Sequence, residues 1–573
     1  MRNTNPASFF RFSLTCLVLA LTGLLLTPAS VPAQSRAEYR AFWVDTFNTA
    51  LNNHADVVAV VNNAKAAKAN AIFAQVRRRG DSWYLNSLEP LADRTPIVPG
   101  FDPLQDLIDE AHANGIEVHA FVIMGAVWSR APNLFPPTDP NHVFNLHSGY
   151  DPATNRIDEG PGNWLTRTLI PDGTAQISFQ GHRFNADFYV DFGHPDAAAY
   201  TVDVLMHLVR NYDIDGLHLD RIRYPEISIA GQTPSSGTSV GYNSTNIARF
   251  QQHYNIVPGW TPAQNDPRWS QWRRDQVTNV VRRVYLNALA LKPQLKVSAA
   301  LIAFGGGPVS EAAWNNAEAY WRVYQDWRAW TEEGIIDIAI PMVYKAEHLS
   351  DVRPQFDQWD GWLKSHQYNR TGVMGQGAFL NSIEGTLRQV RRTLMPDSAG
   401  RSHSGVIFFS MATSDVAVTA NPFSIPQGQN TPDRPFAEFA AGLTTGRSVN
   451  GATLYEDPAT NPTPIFQATA SIPVLPWKAN PAFGHLMGLA KRADDTPLDT
   501  ATVTFENLDT HDTRTGTTDG GGFFGAVDLP PGPYLVKVES GADVLYSCVA
   551  NVTAGAVTTA SMAAEWKDCH RQH

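Results

Sequence analysis

The stretch Arg40-Ala-Phe-Trp-Val-Asp-Thr-Phe47 decides between a closed barrel and an open sheet, two folds in which strands and helices alternate in the same order. Its apolar part predicts a buried strand. Asp45, Thr46 and Phe47 then stand where a nucleotide-binding open sheet would carry a Gly-rich phosphate loop. Polar and aromatic residues also follow the later predicted strands, as they do at the open end of a barrel of parallel strands. The stretch therefore favours a closed barrel.

Further apolar runs follow this strand and alternate with helical patterns. Parallel strands that helices cover on both faces have continuously apolar sequences, as these runs do. The predicted strands are 40–47, 71–76, 116–123, 215–220, 296–301, 336–343, 371–375 and 405–409. We predict an α/β fold in which a (β/α)8 TIM barrel spans residues 36–420.

The helix after the second strand has the clearest end signals in the chain. Asp102 is placed to cap it, Pro103 takes its first position, and Gly115 ends it. Its apolar residues repeat with helical spacing and are Leu104, Leu107, Ile108 and Ala111. Other predicted helices are 54–68, 195–210, 269–291 and 320–333.

Two segments interrupt or follow this alternation. Residues 125–191 are polar, rich in Pro and Asn, and too long for an ordinary connection, which indicates a functional insertion over one face of the barrel. Residues 421–483 are interpreted as a barrel-closing segment and linker. From residue 484 to 565, short alternating strands such as 502–505 predict a small all-β, Ig-like sandwich.

The composition is that of a globular protein with a negative charge. Of 573 residues, 43% are hydrophobic and 17% are charged, and the formal net charge is −11. Tight nucleic-acid binding requires clustered Lys and Arg, which the mature chain lacks, so we expect no nucleic-acid partner. No Cys/His spacing resembles a zinc site, and we expect neither a metal nor a cofactor. We expect a monomer.

The N-terminal segment predicts export. Arg2 and Arg11 precede an apolar run at 14–26, and Ala33 ends a short cleavage motif. We predict a Sec-type signal peptide over residues 1–33; the alternative is an uncleaved N-terminal anchor. No later segment is apolar enough to span a bilayer. The expected location is periplasmic, cell-surface or extracellular, where Cys548 and Cys569 form a disulfide or remain two buried thiols.

The strongest chemical signal is Asp215-Gly-Leu-His-Leu-Asp220, a predicted strand that ends in a carboxylate. Because side chains alternate along a strand, Gly216, His218 and Asp220 share one face. Asp220 then lies at the mouth of the barrel, where a carboxylate is disfavoured unless it is paired or functional. We predict a catalytic role for Asp220; the alternative is a structural salt bridge to an arginine such as Arg223.

Hydrolysis of a glycosidic bond requires an acid and a second group that stabilises or attacks the anomeric carbon. Three carboxylates are candidates for that group: Asp45 after strand one, Glu347 after strand six, and Glu226 beyond Asp220. We retain Asp45 and Glu347 as catalytic candidates, although each alone fits a binding or structural role at least as well. The seventh strand ends in Gly375-Gln376-Gly377 and offers no carboxylate.

Substrate contacts are expected from residues that follow the strands. Gln75, Arg77 and Asp81 offer hydrogen bonds to sugar hydroxyls or acidic groups, unless their segment is an ordinary solvated turn. Trp128 and Tyr344 offer faces on which a sugar ring stacks. The rest of the predicted binding set is His218, Arg223, Tyr224 and Gln376.

Several ordered motifs resemble one protein family. They are Arg40-Ala-Phe-Trp-Val-Asp45, Gln75-Val-Arg77 with Gly80-Asp81, Asp191-Phe-Gly-His-Pro195, Asp215-Gly-Leu-His-Leu-Asp220 with Tyr224-Pro225, Trp272-Arg-Arg-Asp275 and Pro341-Met-Val-Tyr344. Over residues 36–415 the chain resembles the glycosyl hydrolase-like 10 family of bacterial envelope proteins. The resemblance implies a TIM barrel related to clan A glycosidases. Some members are implicated in cleaving peptidoglycan glycan strands that lack stem peptides.

The resemblance also implies roles for individual residues. Asp220 matches the family's acidic position on strand four, and Arg77, Asp81 and Tyr344 match mouth residues. Arg221 stands where many members have a second acidic residue, so a mechanism that needs a carboxylate there does not carry over.

The tail resembles a second family. Residues 488–538 are similar to carboxypeptidase regulatory-like domains, with Thr518-Asp519-Gly-Gly-Gly-Phe-Phe524 as the clearest motif. This resemblance implies a non-catalytic β-sandwich that serves in spacing, stability or surface attachment.

These observations together predict an exported glycoside hydrolase that acts on a polysaccharide. Two alternatives stay open. The strand that ends at Asp220 also resembles that of chitinase-like enzymes, which cleave N-acetylated sugars with the substrate's assistance, but those enzymes have Glu where this chain has Ile222. A barrel that binds carbohydrate without cleaving it would explain why strand seven offers no carboxylate.

Overall fold

The computed structural model describes residues 37–129, 135–169, 181–227, 232–416, 434–451, 464–492, 494–540 and 543–561. The predicted signal peptide and Cys569 lie outside these ranges. Within the described ranges, no helix combines the length and the apolar character that crossing a bilayer requires.

A closed ring of parallel strands forms the first domain. Its members are β1 (Tyr39–Val44), β2 (Ala71–Arg77), β3 (Glu117–Ile123), β4 (Gly216–Asp220), β5 (Lys296–Ile302), β6 (Ile338–Val343), β7 (Thr371–Gly372, continued as Met374–Gly377) and β8 (Gly405–Phe409). Each strand pairs with its neighbour in sequence, and β8 pairs with β1, as in Ala41 opposite Ile407. The predicted (β/α)8 barrel is confirmed.

The helices are α1 (His54–Ala66), α2 (Pro103–Ala113), α3 (Val143–His147), α4 (Pro195–Asn211), α5 (Ser244–His253), α6 (Pro267–Leu291), α7 (Glu318–Trp321), α8 (Trp327–Glu333), α9 (Arg353–Ser365), α10 (Ile383–Leu394), α11 (Phe436–Thr445) and α12 (Pro476–Ala479). In α2, the Asp102 side chain accepts a hydrogen bond from the Gln105 amide, and the predicted apolar residues are buried. Such a cap contributes about 1 kcal/mol.

The helix predicted over 320–333 is wrong in one respect, because it is two helices, α7 and α8. Tyr324, between them, has a φ of 56°, which a continuous helix does not permit. The Asp326 side chain accepts a hydrogen bond from the Ala329 amide and thereby starts α8 afresh. The apolar pattern continues through residues 320–333, but the cap at Asp326 begins a second helix within it.

Side chains inside the barrel alternate with those that face the helices. Trp43 Nε1 donates a hydrogen bond to His218 Nε2 at 3.0 Å, so His218 Nδ1 carries the proton and donates to Ser298 Oγ at 2.9 Å. Burial lowers the pKa of His218 well below its ordinary value, which keeps the ring neutral. Asp45 is two residues after Trp43, and Asp220 is two residues after His218. Because side chains alternate along a strand, both aspartates share the inward face of these residues, at the carboxyl end of the barrel.

The insertion after β3 contributes a small antiparallel sheet. Ala126–Ser129 pairs with Asp187–Tyr189, which pairs in turn with Arg183–Phe184. Asp187 contacts Arg79, beyond β2, at 3.1 Å and Arg221, beyond β4, at 2.8 Å. This small sheet therefore lies over the carboxyl ends of the strands.

A β-sandwich follows the barrel, as predicted. Its strands are β9 (Gly484–Leu489), β10 (Thr502–Asn507), β11 (Thr513–Thr517), β12 (Phe523–Leu529), β13 (Gly532–Ser540), β14 (Asp543–Val552) and β15 (Val557–Ser561). One sheet has the order β12-β9-β15 and the other β11-β10-β13-β14. Apolar residues such as Leu486, Phe505 and Val536 are buried between them. Cys548 is disulfide-bonded.

The sandwich packs against the barrel through paired charges. Arg249 forms a bidentate ion pair with Asp499, at 2.6 and 2.8 Å, and Arg370 pairs with Asp528 at 2.8 Å. Gly525 lies so close to α6 that an added Cβ would stand 2.2 Å from Leu286. The two domains therefore share a close contact rather than a loose tether.

Candidate active site

Asp45 follows β1 and is almost completely buried, with a relative exposure of 1%. Its Oδ1 accepts hydrogen bonds from the amide and the side chain of Asn48, at 3.0 and 2.8 Å. Its Oδ2 is buried and has no hydrogen-bond partner among the described residues. A buried polar atom without a partner costs about 1–3 kcal/mol, so this oxygen is available to a ligand at a cost in stability.

Asp220 ends β4 and is half-buried. Its Oδ1 accepts a hydrogen bond from the Arg221 amide at 2.7 Å. Burial raises the pKa of Asp220, and the charges of Arg221 and Arg223 oppose the shift. Arg223 pairs with Glu226 at 3.2 Å instead. Within the described part of the chain, Asp220 therefore forms no salt bridge of the kind that would make it purely structural.

Tyr344 follows β6 and connects these two carboxylates in space. Burial and the charges of Asp220 and Asp45 all raise the pKa of its phenol, which therefore stays protonated and can donate a hydrogen bond. Its ring centroid lies 5.4 Å from that of Phe379 and 5.7 Å from that of Phe409, and all three rings are half-buried. The mouth thus combines two carboxylates, one hydroxyl and an aromatic wall.

Gln75 and Asp81 hold the loops beside Asp45. Gln75 Oε1 accepts hydrogen bonds from the amide and hydroxyl of Thr46, at 3.0 and 2.8 Å. Asp81 Oδ1 accepts from the Arg79 amide at 2.9 Å, and its buried Oδ2 has no partner within the described ranges. Both residues therefore lie where the sequence predicted, next to the mouth.

Two other predicted binding residues form the scaffold behind the mouth. Arg77 is buried in a bidentate ion pair with Glu89, with both distances at 2.7 Å. The Tyr224 hydroxyl donates a hydrogen bond to Asp191 at 2.8 Å and is equally buried. These contacts use the polar groups that the sequence analysis assigned to substrate.

Glu347 and Gln376 lie outside the mouth. Glu347 is buried in a bidentate ion pair with Arg392 of α10, at 2.9 and 2.8 Å. Gly375 faces the barrel interior, where an added Cβ would stand 2.8 Å from Trp43, so the alternation turns Gln376 outwards. Its amide donates to Thr393 of α10 at 3.3 Å. Neither residue takes part in the proposed reaction.

The remaining predicted residues are near the mouth but covered. Trp128 is 4% exposed and packs edge-on against His142 at 4.8 Å, which leaves no open face for a sugar. His218 lies one layer below Asp220, bonded to Trp43 and Ser298. Both residues support the mouth from behind.

The sequence analysis missed Asp187, Tyr189, Arg79 and the aromatic pair Phe379 and Phe409. Arg221 donates hydrogen bonds to Asp187 at 2.8 Å and to the Tyr189 hydroxyl at 3.0 Å. The insertion brings Asp187 to the mouth by pairing with residues 58 positions earlier, at Ser129. Arg79 follows β2 and Phe409 ends β8, so their positions were a usable signal, whereas no local pattern places Asp187.

The barrel region matches a known family. The family model described as Glycosyl hydrolase-like 10 matches residues 38–389, which is more than half of the chain. The chain belongs to the glycosyl hydrolase-like 10 family. Membership confirms the resemblance of the barrel motifs; the resemblance of the tail to carboxypeptidase regulatory-like domains stays a prediction.

Two relatives are similar to the chain at low identity. The chain is 25% identical over 392 residues to glycosyl hydrolase YngK of Bacillus subtilis, covering 65% of this chain and 66% of the relative. It is 24% identical over 291 residues to glycosyl hydrolase DigH of Escherichia coli K12, covering 48% and 54%. The chain thus spans less than two thirds of either relative. Among solved structures, the PgaB (BpsB) glycoside hydrolase domain of Bordetella bronchiseptica is similar, with a TM-score of 0.45 and 14% identity, covering 66% of this chain and 95% of that one.

Proposed function

We propose that this protein hydrolyses O-glycosidic bonds of a polysaccharide at the carboxyl mouth of the barrel. One observation carries the proposal. Asp45 follows β1 and Asp220 ends β4 at the carboxyl end of the barrel, and both are near enough to Tyr344 for their charges to raise the pKa of its phenol. Neither carboxylate forms an ion pair within the described residues. Glycoside hydrolysis requires such a pair of carboxylates beside the bond that is cleaved.

The two carboxylates take different roles in the proposed reaction. Asp220, whose pKa burial raises, protonates the oxygen of the leaving sugar. Asp45, held by Asn48, acts on the anomeric carbon, as nucleophile or by activating a water molecule. Tyr344 donates a hydrogen bond in the space between them. The half-buried faces of Phe379 and Phe409 contact the sugar ring.

For the substrate, we infer peptidoglycan glycan strands that lack stem peptides, which the family resemblance implies. Export by the N-terminal segment would bring the protein to such strands, in the periplasm, at the cell surface or outside the cell. In this proposal the protein acts as a monomer, and the C-terminal sandwich positions or stabilises the barrel without taking part in catalysis. The ion pairs between the barrel and the sandwich, Arg249–Asp499 and Arg370–Asp528, support a positioning or stabilising role for the sandwich.

The experiment compares purified wild-type protein with Asp220→Asn on peptide-free peptidoglycan strands, chitin and plant-type glucans. Reducing ends released by the wild type alone support hydrolysis, and the polymer that releases them identifies the substrate class. Asp203→Asn, an exposed change on α4, is the matched control and should retain full activity. Sedimentation with a polymer and no release of reducing ends would reject hydrolysis in favour of binding.

A further inference from the structure

We propose that Arg78 forms a subsite for a carboxylate group on the glycan, next to Asp45. The proposal rests on the proposed function, because it places the acidic group of the substrate beside the bond that is cleaved. It names a chemical class of substrate: a glycan that carries carboxylates, either as uronic acids or as lactyl ethers on the sugar.

Arg78 is a half-buried cation that has no carboxylate within 4 Å among the described residues. Its guanidinium lies over the rings of Trp83 and Phe47, with 4.5 and 5.0 Å between the guanidinium carbon and the ring centroids. Its side chain makes one long hydrogen bond, 3.3 Å to the Thr46 carbonyl, and its buried Nε has no partner within the described ranges. A desolvated guanidinium without an acceptor is costly unless a ligand supplies one.

The electrostatics of Arg78 agree with a site for an anion. Burial lowers the pKa of Arg78, the charge of Asp81 opposes this shift, and the neighbouring Arg79 adds to it. Other buried arginines of the barrel have more acceptors: Arg77 pairs with the Glu89 carboxylate, and Arg249 pairs with that of Asp499. Arg273 has no carboxylate among the described residues but donates to the Thr238 and Val240 carbonyls at 2.9 and 2.8 Å.

Arg78 belongs to a local cationic cluster with Arg79 and Arg221. Arg79 also lies over Phe47, at 5.0 Å, and both Arg79 and Arg221 contact the single carboxylate of Asp187. Arg79 and Arg221 thus share the Asp187 carboxylate, whereas Arg78 has no carboxylate within 4 Å among the described residues, on a chain whose formal net charge is −11. An acidic protein that binds an acidic polymer needs such a local site, because its overall field repels the polymer.

The position of Arg78 sets where the acidic group binds. Thr46, whose carbonyl accepts from Arg78, is the residue after Asp45. A guanidinium fork binds a carboxylate through two parallel hydrogen bonds, which neutral sugar hydroxyls do not replace. The acidic group therefore fixes the register of the glycan relative to Asp45 and Asp220.

The test measures binding by calorimetry in the Asp220→Asn background, so that turnover does not consume the probe. Two matched pairs are used: peptide-free peptidoglycan strands against the same strands with their lactyl carboxylates converted to methylamides, and oligogalacturonate against its methyl ester. We expect the free acid of one pair to bind at least about tenfold more tightly than its neutral form. The pair that shows the difference identifies the source of the carboxylate.

Arg78→Met keeps the apolar stem over Trp83 and Phe47 while it removes the charge. It should remove the preference for the free acid and leave binding of the neutral form within about twofold. Arg78→Lys should restore part of the preference. Arg401→Met removes an exposed arginine between α10 and β8, which pairs with Asp397, and should change neither affinity. Thermal unfolding checks that each variant is folded.

The outcomes separate this proposal from the proposed function. Equal binding of acid and neutral forms in both pairs, no binding of any probe, or an equal loss for both forms in Arg78→Met would overturn the carboxylate subsite. Hydrolysis of a neutral glycan together with equal binding overturns the subsite alone. A clear preference for the acid without release of reducing ends from any polymer overturns the hydrolase alone.

Discussion

The two ends of the barrel bury similar carboxylates in opposite ways. At the amino end, Asp337 is fully buried and satisfied: it accepts hydrogen bonds from Trp477 at 2.7 Å, Tyr285 at 3.1 Å and the Val297 amide at 2.8 Å, and it pairs with Lys478 at 3.2 Å. At the carboxyl end, Asp45 is buried with one oxygen unpaired in the described structure. The same residue type stabilises one end and is kept available to a ligand at the other.

This comparison teaches how to separate structural from functional carboxylates in the chain. Burial alone does not separate them, because Asp337, Glu347 and Asp45 are all at most 2% exposed. The separation comes from the partners in the described structure: Glu347 has Arg392, Asp337 has Lys478, and the Asp45 carboxylate has only the neutral Asn48. Unpaired buried charges are the ones that need a functional explanation.

The largest expected effect is on stability at the amino end. Asp337→Ala should lower the free energy of unfolding by about 3–5 kcal/mol, because it leaves the buried charge of Lys478 without its partner. Urea unfolding of the full chain measures the change, with Asp203→Ala on the surface of α4 as the control. A loss below about 1 kcal/mol would show that this end of the barrel is not held by Asp337.

At the carboxyl end, the expected effect is on turnover. Asp220→Asn should lower kcat by at least about a hundredfold, or about 2.7 kcal/mol of transition-state stabilisation, because the amide cannot protonate the leaving oxygen. The urea unfolding midpoint should not move, since Asp220 forms no salt bridge in the described structure. Unchanged turnover would remove Asp220 from the mechanism.

The pH dependence should follow from the raised pKa of Asp220. A catalytic acid works in its protonated form, so kcat should fall up to about tenfold per pH unit as the pH rises above that pKa. Because Arg223 opposes the shift, Arg223→Met should raise the pKa further and move this falling limb to higher pH. A pH profile of kcat on one substrate measures the limb. A shift to lower pH would contradict the assignment of Asp220 as the acid.

The sequence allowed the barrel and its two central carboxylates to be predicted, for a clear physical reason. Apolar strands and the residues directly after them are local patterns, and Asp45 and Asp220 directly follow or end such strands. Gln376 was assigned to the mouth although it lies one residue out of phase, and one residue turns a side chain to the other face of a strand. Glu347 and Arg392 are 45 residues apart, so no local pattern reveals their ion pair.

The smallest expected effect tests the comparison most directly. Asp45→Asn should leave the free energy of unfolding unchanged or raise it by up to about 1 kcal/mol, because it removes a buried charge that lacks a countercharge and keeps an oxygen for Asn48. Urea unfolding compares it with Asp337→Ala, which removes a satisfied charge together with its hydrogen-bond acceptors. If Asp45→Asn destabilised the protein as strongly as Asp337→Ala, Asp45 would be a structural carboxylate, and the two ends of the barrel would not differ in the way that the proposed chemistry requires.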